Sequence, residues 1–161
     1  AVAIDRDTPF GSMDGGTLAL SDWDGQPVLV VNTASLCGYV DQFGALQTLY
    51  DRYRDDGLVV LAVPSDDFNQ ELTSNAAVKD FCELNYGIDM PRTVMTPVKG
   101  TDPHPFYRSL RDEVGFTPRW NFNTVLLGRD GTVIETFPAR VSPLSPAMIR
   151  AVENALSHSA S

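Results

Sequence analysis

The chain has 161 residues, 43% of them hydrophobic and 20% charged, and a formal net charge of -9. This is the composition of one globular domain, residues 1–161, long enough to bury a core without disulfide or metal support. The acidic balance argues against nucleic acid and against a membrane surface as partners, no apolar run reaches the ~20 residues of a transmembrane helix, and two cysteines and two histidines are too few for a disulfide scaffold or a multi-ligand metal site.

The opening Ala1-Val2-Ala3 suits the small residues at a signal cleavage site. It leans the reading toward a periplasmic or secreted location, with the cytoplasm as the alternative. Segments 1–8 and 157–161 are expected to be flexible tails. Gly15-Gly16 and Asp24-Gly25 are turn signals around a short strand over Thr17 to Leu20. Pro27 to Val31 is a continuous apolar run, the mark of a strand buried on both faces. From Asp41 the period changes: Phe43, Leu46, Tyr50 and Tyr53 draw one face of a helix ending before Gly57. Leu58 to Val63 is a second buried strand, stopped by Pro64.

Thr73 or Ser74 can cap a helix carrying Val78, Phe81, Cys82 and Tyr86, with Gly87 at its end. A strand is expected over Thr93 to Val98 and a short helix over Pro105 to Val114. Phe122 to Leu127 and Thr132 to Phe137 flank Arg129-Asp130-Gly131, which predicts a tight hairpin. Ser145-Pro146 opens a last helix through Leu156. This alternation is the α/β class, a central sheet with helices on both faces.

Chemistry concentrates where the first buried strand ends. Cys37 lies between that strand and a helix, where the positive end of the helix can favour a reactive thiolate. A small buried hydrophobe is the competing reading. Cys82 falls on or near an apolar helical stripe and reads, by itself, as a packed thiol. Taken singly, Trp120 reads as core, and Gln70 and Asn121 as solvated or turn residues. Asp66-Asp67 with Glu71 reads as a solvated acidic loop, and His104 as a surface turn residue.

Together these segments carry a resemblance. Val31 to Gly38 resembles the peroxidatic-cysteine motif of the glutathione peroxidase family. Pro64 to Glu71 resembles the loop carrying that family's active-site glutamine, Asp80-Phe81-Cys82 the site of its resolving cysteine, and Trp120-Asn121-Phe122 its Trp-Asn-Phe motif. The resemblance runs from about Asp14 to Leu156. It implies a thioredoxin-like fold, with a central mixed sheet flanked by helices and an N-terminal extension.

The resemblance also implies a thiol peroxidase acting on hydrogen peroxide or organic hydroperoxides. Cys37 would be the nucleophile, Gln70, Trp120 and Asn121 neutral hydrogen-bond donors at the catalytic site, and Cys82 the resolving cysteine. No cofactor or metal is implied; a thioredoxin-like protein or glutathione would reduce the oxidised enzyme. Val40, Ser65-Asp66-Asp67, Leu72 and Thr124 depart from the family's usual residues, which bears on donor binding and substrate preference. The short connection from Asp112 to Arg119 makes a monomer the expected state. A peroxide sensor that oxidises a partner protein through the same two cysteines is the alternative.

Overall fold

The computed structural model describes residues 4–158. The suggested cleavage site at Ala1-Val2-Ala3 and the outer ends of both expected tails, 1–3 and 159–161, lie outside the described residues. Residues 4–8 are tied to the body: the Asp5 N–H donates to Ser109 Oγ at 2.9 Å, and the Arg6 carbonyl accepts from the Ser21 N–H at 2.9 Å.

Two short strands, β1 (Phe10–Gly11) and β2 (Thr17–Leu18), pair antiparallel. The expected strand at Thr17 to Leu20 ends early because the Asp22 carboxylate accepts the Ala19 N–H at 2.9 Å and closes a 3-10 turn over Leu20–Trp23. The main sheet contains β3 (Val28–Thr33), β4 (Val59–Pro64), β5 (Thr124–Leu127) and β6 (Val133–Phe137), in the order β4-β3-β5-β6. β3 and β4 are parallel; β5 lies antiparallel to both β3 and β6. The sheet is therefore mixed.

Alternation along β3 and β4 sorts the core into two layers. Leu29, Val31, Val60 and Ala62 face α1 (Gln42–Tyr53), α2 (Asn75–Tyr86) and α4 (Pro146–Ser157). Val28, Val30, Leu61 and Val63 face α3 (Pro105–Val114) and the N-terminal segment. The caps fall where the residue types demand: the Ser74 and Ser145 hydroxyls accept the N–H groups of Ala77 and Met148.

Two expected elements differ. Thr93 to Val98 is no strand; only Arg92 and Thr93 make isolated bridges, to Ala62 and Ser12. The Thr93 and Thr96 hydroxyls both donate to the Val94 carbonyl at 2.7 Å, and Asn75 Oδ1 takes the Met95 N–H at 2.8 Å, so side chains occupy groups a strand ladder would need. The β5–β6 connection runs over residues 128–132 and is longer than a two-residue turn. Asp130 Oδ1 accepts both the Thr132 N–H and its hydroxyl, and Gly131 supplies the positive φ, 82°.

His104 is a structural cap rather than a surface turn residue. Its Nδ1 accepts the Phe106 N–H at 3.0 Å at the start of α3, Nε2 lies 3.0 Å from the Pro9 carbonyl, and the ring stacks on Phe10 with centroids 3.8 Å apart. An accepting Nδ1 leaves Nε2 as the donor, so the ring is neutral. Burial pushes its pKa down, opposed by the Pro9 carbonyl and by nearby Asp5. A lowered folded pKa means the unfolded chain binds more protons below its own pKa, near 6.5. The contribution is thus full above that value and is lost as pH falls toward the folded pKa. We expect wild type to lose denaturant stability between pH 7.5 and pH 5 relative to His104→Asn, which keeps a capping oxygen but does not titrate; such a cap contributes about 1 kcal/mol. Equal losses in the two proteins would remove His104 from the acid response.

Candidate active site

The site is built around the end of β3. Asn32 is fully buried and binds the segment that carries Trp120. Its Nδ2 donates to the Trp120 carbonyl at 2.8 Å, and its carbonyl accepts the Phe122 N–H at 2.6 Å. Phe122 adopts φ 62°, an uncommon conformation for a bulky residue. It is held by this bond and by edge-on packing against Phe43, centroids 5.2 Å apart. The sequence does not single out Asn32 for this role, although it lies inside the first resembling segment.

Beyond β3, the loop carrying Cys37 is sewn to the loop carrying Gln70. The Leu36 N–H donates to the Gln70 carbonyl at 2.8 Å, and the Ser35 N–H to Glu71 Oε1 at 3.0 Å. Cys37 is 2% exposed between exposed Leu36 and exposed Gly38. Successive turn bonds from Val40 to Cys37, Gln42 to Tyr39 and Phe43 to Val40 wind the chain into α1. Cys37 thus precedes the first α-helical residue by several positions, and the donor at its sulfur is local: the Tyr39 N–H lies 3.4 Å from Sγ.

Gln70 and Asn121 meet directly, Asn121 Nδ2 donating to Gln70 Oε1 at 3.1 Å. That bond leaves the Gln70 amide nitrogen free to donate elsewhere. Asn121 is fully buried, with its Oδ1 unpartnered. The Trp120 ring is 37% exposed and leans on Phe68 of the glutamine loop, centroids 5.3 Å apart. Cys37 and the three residues singled out around it, Gln70, Trp120 and Asn121, therefore come from segments bonded to one another. Asn69, just before Gln70, also takes a positive φ, 60°, so a left-handed residue flanks each amide.

The acidic loop is not simply solvated. Asp66 Oδ1 accepts the Glu71 N–H at 3.2 Å, and Asp67 Oδ2 accepts the N–H groups of Val98 and Lys99 at 2.7 and 3.1 Å. Glu71 is 6% exposed; burial pushes its carboxyl pKa up, against hydrogen bonds from Ser35 and Leu72. Among the described residues no group of His, Cys, Asp and Glu is arranged to hold a metal ion.

Cys82 lies on α2, 1% exposed, in the same buried cluster as Cys37. Both cysteines are free thiols. Burial pushes the Cys82 thiol up to about 12. An open cavity of about 490 Å³ lies beside the Trp120 segment, lined by Arg119, Asn123, Phe116, Phe137 and Arg140 among others. It includes none of Cys37, Gln70, Trp120 and Asn121. Among the described residues no helix is long and apolar enough to cross a membrane.

Known proteins resemble this chain in sequence and in fold. Residues 7–111 match the family model described as "Glutathione peroxidase". A glutathione peroxidase of Lactococcus lactis subsp. cremoris is 41% identical over 136 residues, covering 81% of this chain and 87% of the relative. A glutathione peroxidase-like peroxiredoxin of Schizosaccharomyces pombe is 37% identical over 135 residues, covering 81% of this chain and 85% of the relative. The apo crystal structure of Trgpx superposes with a TM-score of 0.77 at 26% identity, over 99% of each chain. A thioredoxin-family thiol:disulfide interchange protein from Chlorobium tepidum shares the fold, with a TM-score of 0.71 at 16% identity over 98% of each chain.

Proposed function

The chain belongs to the glutathione peroxidase family and is a peroxidase, and from that premise we propose that Cys37 is its peroxidatic nucleophile and Cys82 its resolving cysteine. One observation carries the reading: the segments holding Cys37, Gln70 and Trp120-Asn121 are bonded to one another around the end of β3. A thiolate attacking a peroxide oxygen displaces hydroxide or alkoxide, so donors must serve both the sulfur and the departing oxygen. The Tyr39 N–H already faces the sulfur. The free amide hydrogens of Gln70 and the indole N–H of Trp120 are the neutral donors available for the oxygen, and neither titrates near neutral pH. No cofactor or metal enters this chemistry.

The reductant follows from Cys82. An intramolecular disulfide is a substrate for a dithiol protein, and a net charge of -9 slows encounter with anionic glutathione. We therefore assign a thioredoxin-like protein as the better donor, acting on a monomeric enzyme. Resolution requires α2 to open, and α2 is weakly anchored: of its side chains only Val78 and Cys82 are fully buried, whereas α1 buries Phe43, Leu46, Gln47, Leu49 and Tyr53. The same burial of Cys82 prolongs the sulfenic acid on Cys37, which favours a second reading as a peroxide sensor that oxidises a partner protein.

Truncating Gln70 or Trp120 to alanine should slow Cys37 oxidation and leave later reduction of the disulfide alone. Loss of one oriented donor costs up to about 3–4 kcal/mol, or 100- to 1000-fold. We expect about 10- to 100-fold, because the donors share the load and water can substitute. Stopped-flow oxidation at the wild-type rate in both variants would return Gln70 and Trp120 to structural roles.

A further inference from the structure

Glu71, 6% exposed, carries the only buried carboxylate among the described residues. Its Oε1 accepts the Ser35 N–H at 3.0 Å and the Leu72 N–H at 2.8 Å, while Oε2 is buried with no partner. Taking a carboxylate out of water and leaving half its acceptors empty costs stability. That cost falls where the Cys37 loop meets the glutamine loop. The bond to Leu72 is local and orients the side chain; the bond to Ser35 spans 36 residues. Beside it, the Leu36 N–H donates to the Gln70 carbonyl at 2.8 Å. Two consecutive donors, Ser35 and Leu36, thus meet two consecutive residues, Glu71 and Gln70. A single bond would let the loops pivot about it; a second fixes their direction as well as their distance. Cys37 is the next residue on one side. On the other, the Gln70 side chain is held by Asn121 at 3.1 Å, and the Glu71 N–H is held by Asp66 Oδ1 at 3.2 Å.

We propose that Glu71 is a positioning residue for the peroxide step, its side chain setting the place of the Gln70 amide relative to the Cys37 sulfur. This rests on Cys37 being the nucleophile and Gln70 a donor to the departing oxygen. In that step the Cys37 thiolate sulfur forms a bond to one peroxide oxygen and the O–O bond breaks. The other oxygen leaves with the electron pair and takes up a proton, as water or an alcohol. The sulfur is oxidised and the peroxide reduced. Reach, rather than charge, is what Glu71 supplies. An amide oxygen at the same place accepts the same two N–H groups, whereas a side chain one methylene shorter ends about 1.5 Å short of them. Displacing a reacting group by about 1 Å can cost about 100-fold in rate.

The test is stopped-flow oxidation of the reduced protein by hydrogen peroxide, beside a thermal melt of each preparation. Glu71→Ala and Glu71→Asp should each slow oxidation by about tenfold, while Glu71→Gln should stay within about threefold of wild type. In the double variant Gln70→Ala/Glu71→Ala, oxidation should be slower than in Gln70→Ala by no more than about twofold, because misplacing a donor costs nothing once the donor is gone. Oxidation at the wild-type rate in Glu71→Ala overturns the proposal. So does a slowed Glu71→Gln or a wild-type rate in Glu71→Asp, since reach would then not decide; this pair is conclusive even if Glu71→Ala does not fold. Effects of Gln70→Ala and Glu71→Ala that multiply would mean that Glu71 acts elsewhere than on Gln70, which also overturns it. If Gln70→Ala alone oxidises at the wild-type rate, the donor reading of Gln70 fails first, and the inference falls with it before any Glu71 variant is made.

Discussion

Cys37→Ser is expected to abolish peroxide reduction, lowering kcat/KM by at least about 1000-fold. An alcohol is not appreciably ionised near neutral pH, and the anion is the nucleophile. The substitution isolates chemistry from folding because the two side chains are nearly isosteric. Cys37 is 2% exposed, and the Tyr39 N–H that faces its sulfur can face a hydroxyl equally well. The turns from Cys37 into α1 use backbone groups only and should persist. The check is peroxide consumption with a reducing system in excess, beside a thermal melt of the same preparation. Peroxide reduction surviving in a folded Cys37→Ser protein would end the reading of Cys37 as nucleophile.

Cys82→Ser should separate the two halves of the cycle. One equivalent of peroxide should still be consumed, leaving a sulfenic acid on Cys37, while thioredoxin-driven turnover should fall by about 100-fold or more. The size of the effect comes from effective concentration: a thiol in the same molecule far outcompetes a free one. The wild-type resolving step should itself be slow. A thiol that burial pushes up to about 12 stays protonated near neutral pH, so attack awaits opening of α2. Mass spectrometry after peroxide treatment should find a Cys37–Cys82 bridge in wild type and none in the variant. Normal thioredoxin-driven cycling by Cys82→Ser would remove Cys82 from the mechanism.

Much of the fold was legible because its signals are local. The apolar run at Pro27 to Val31, the helical stripe of Phe43 and Leu46, the Ser74 and Ser145 caps and the left-handed Gly87 each act within a few residues, and each element stands where they direct. The pattern fails where side chains take over backbone groups. Thr93 and Thr96 bond to the Val94 carbonyl, and a β-rich stretch becomes irregular chain. Asp22 ends β2 in the same way. His104 looks like a proline-flanked turn residue until Phe10, some ninety residues earlier, is seen stacked against it.

At the candidate site the division is sharper. Position before a helix was enough to nominate Cys37 as reactive, whereas Gln70, Cys82, Trp120 and Asn121 were nominated only by the resemblance of their segments to the glutathione peroxidase family. Which atoms meet is a property of the tertiary structure alone. Asn32 clasping the Trp120 segment, Glu71 buried against the Cys37 loop and Gln70 bonded to Asn121 join residues far apart in the chain. A side chain's burial and partner are fixed by whatever else packs there, and no local pattern encodes that. The sequence by itself determined the layers, the strand that ends at the site and the chemistry the site can hold. Only the folded chain decided that one cysteine lies against a backbone donor while the other is buried in the apolar cluster beneath α2, because burial and partners depend on everything else that packs there.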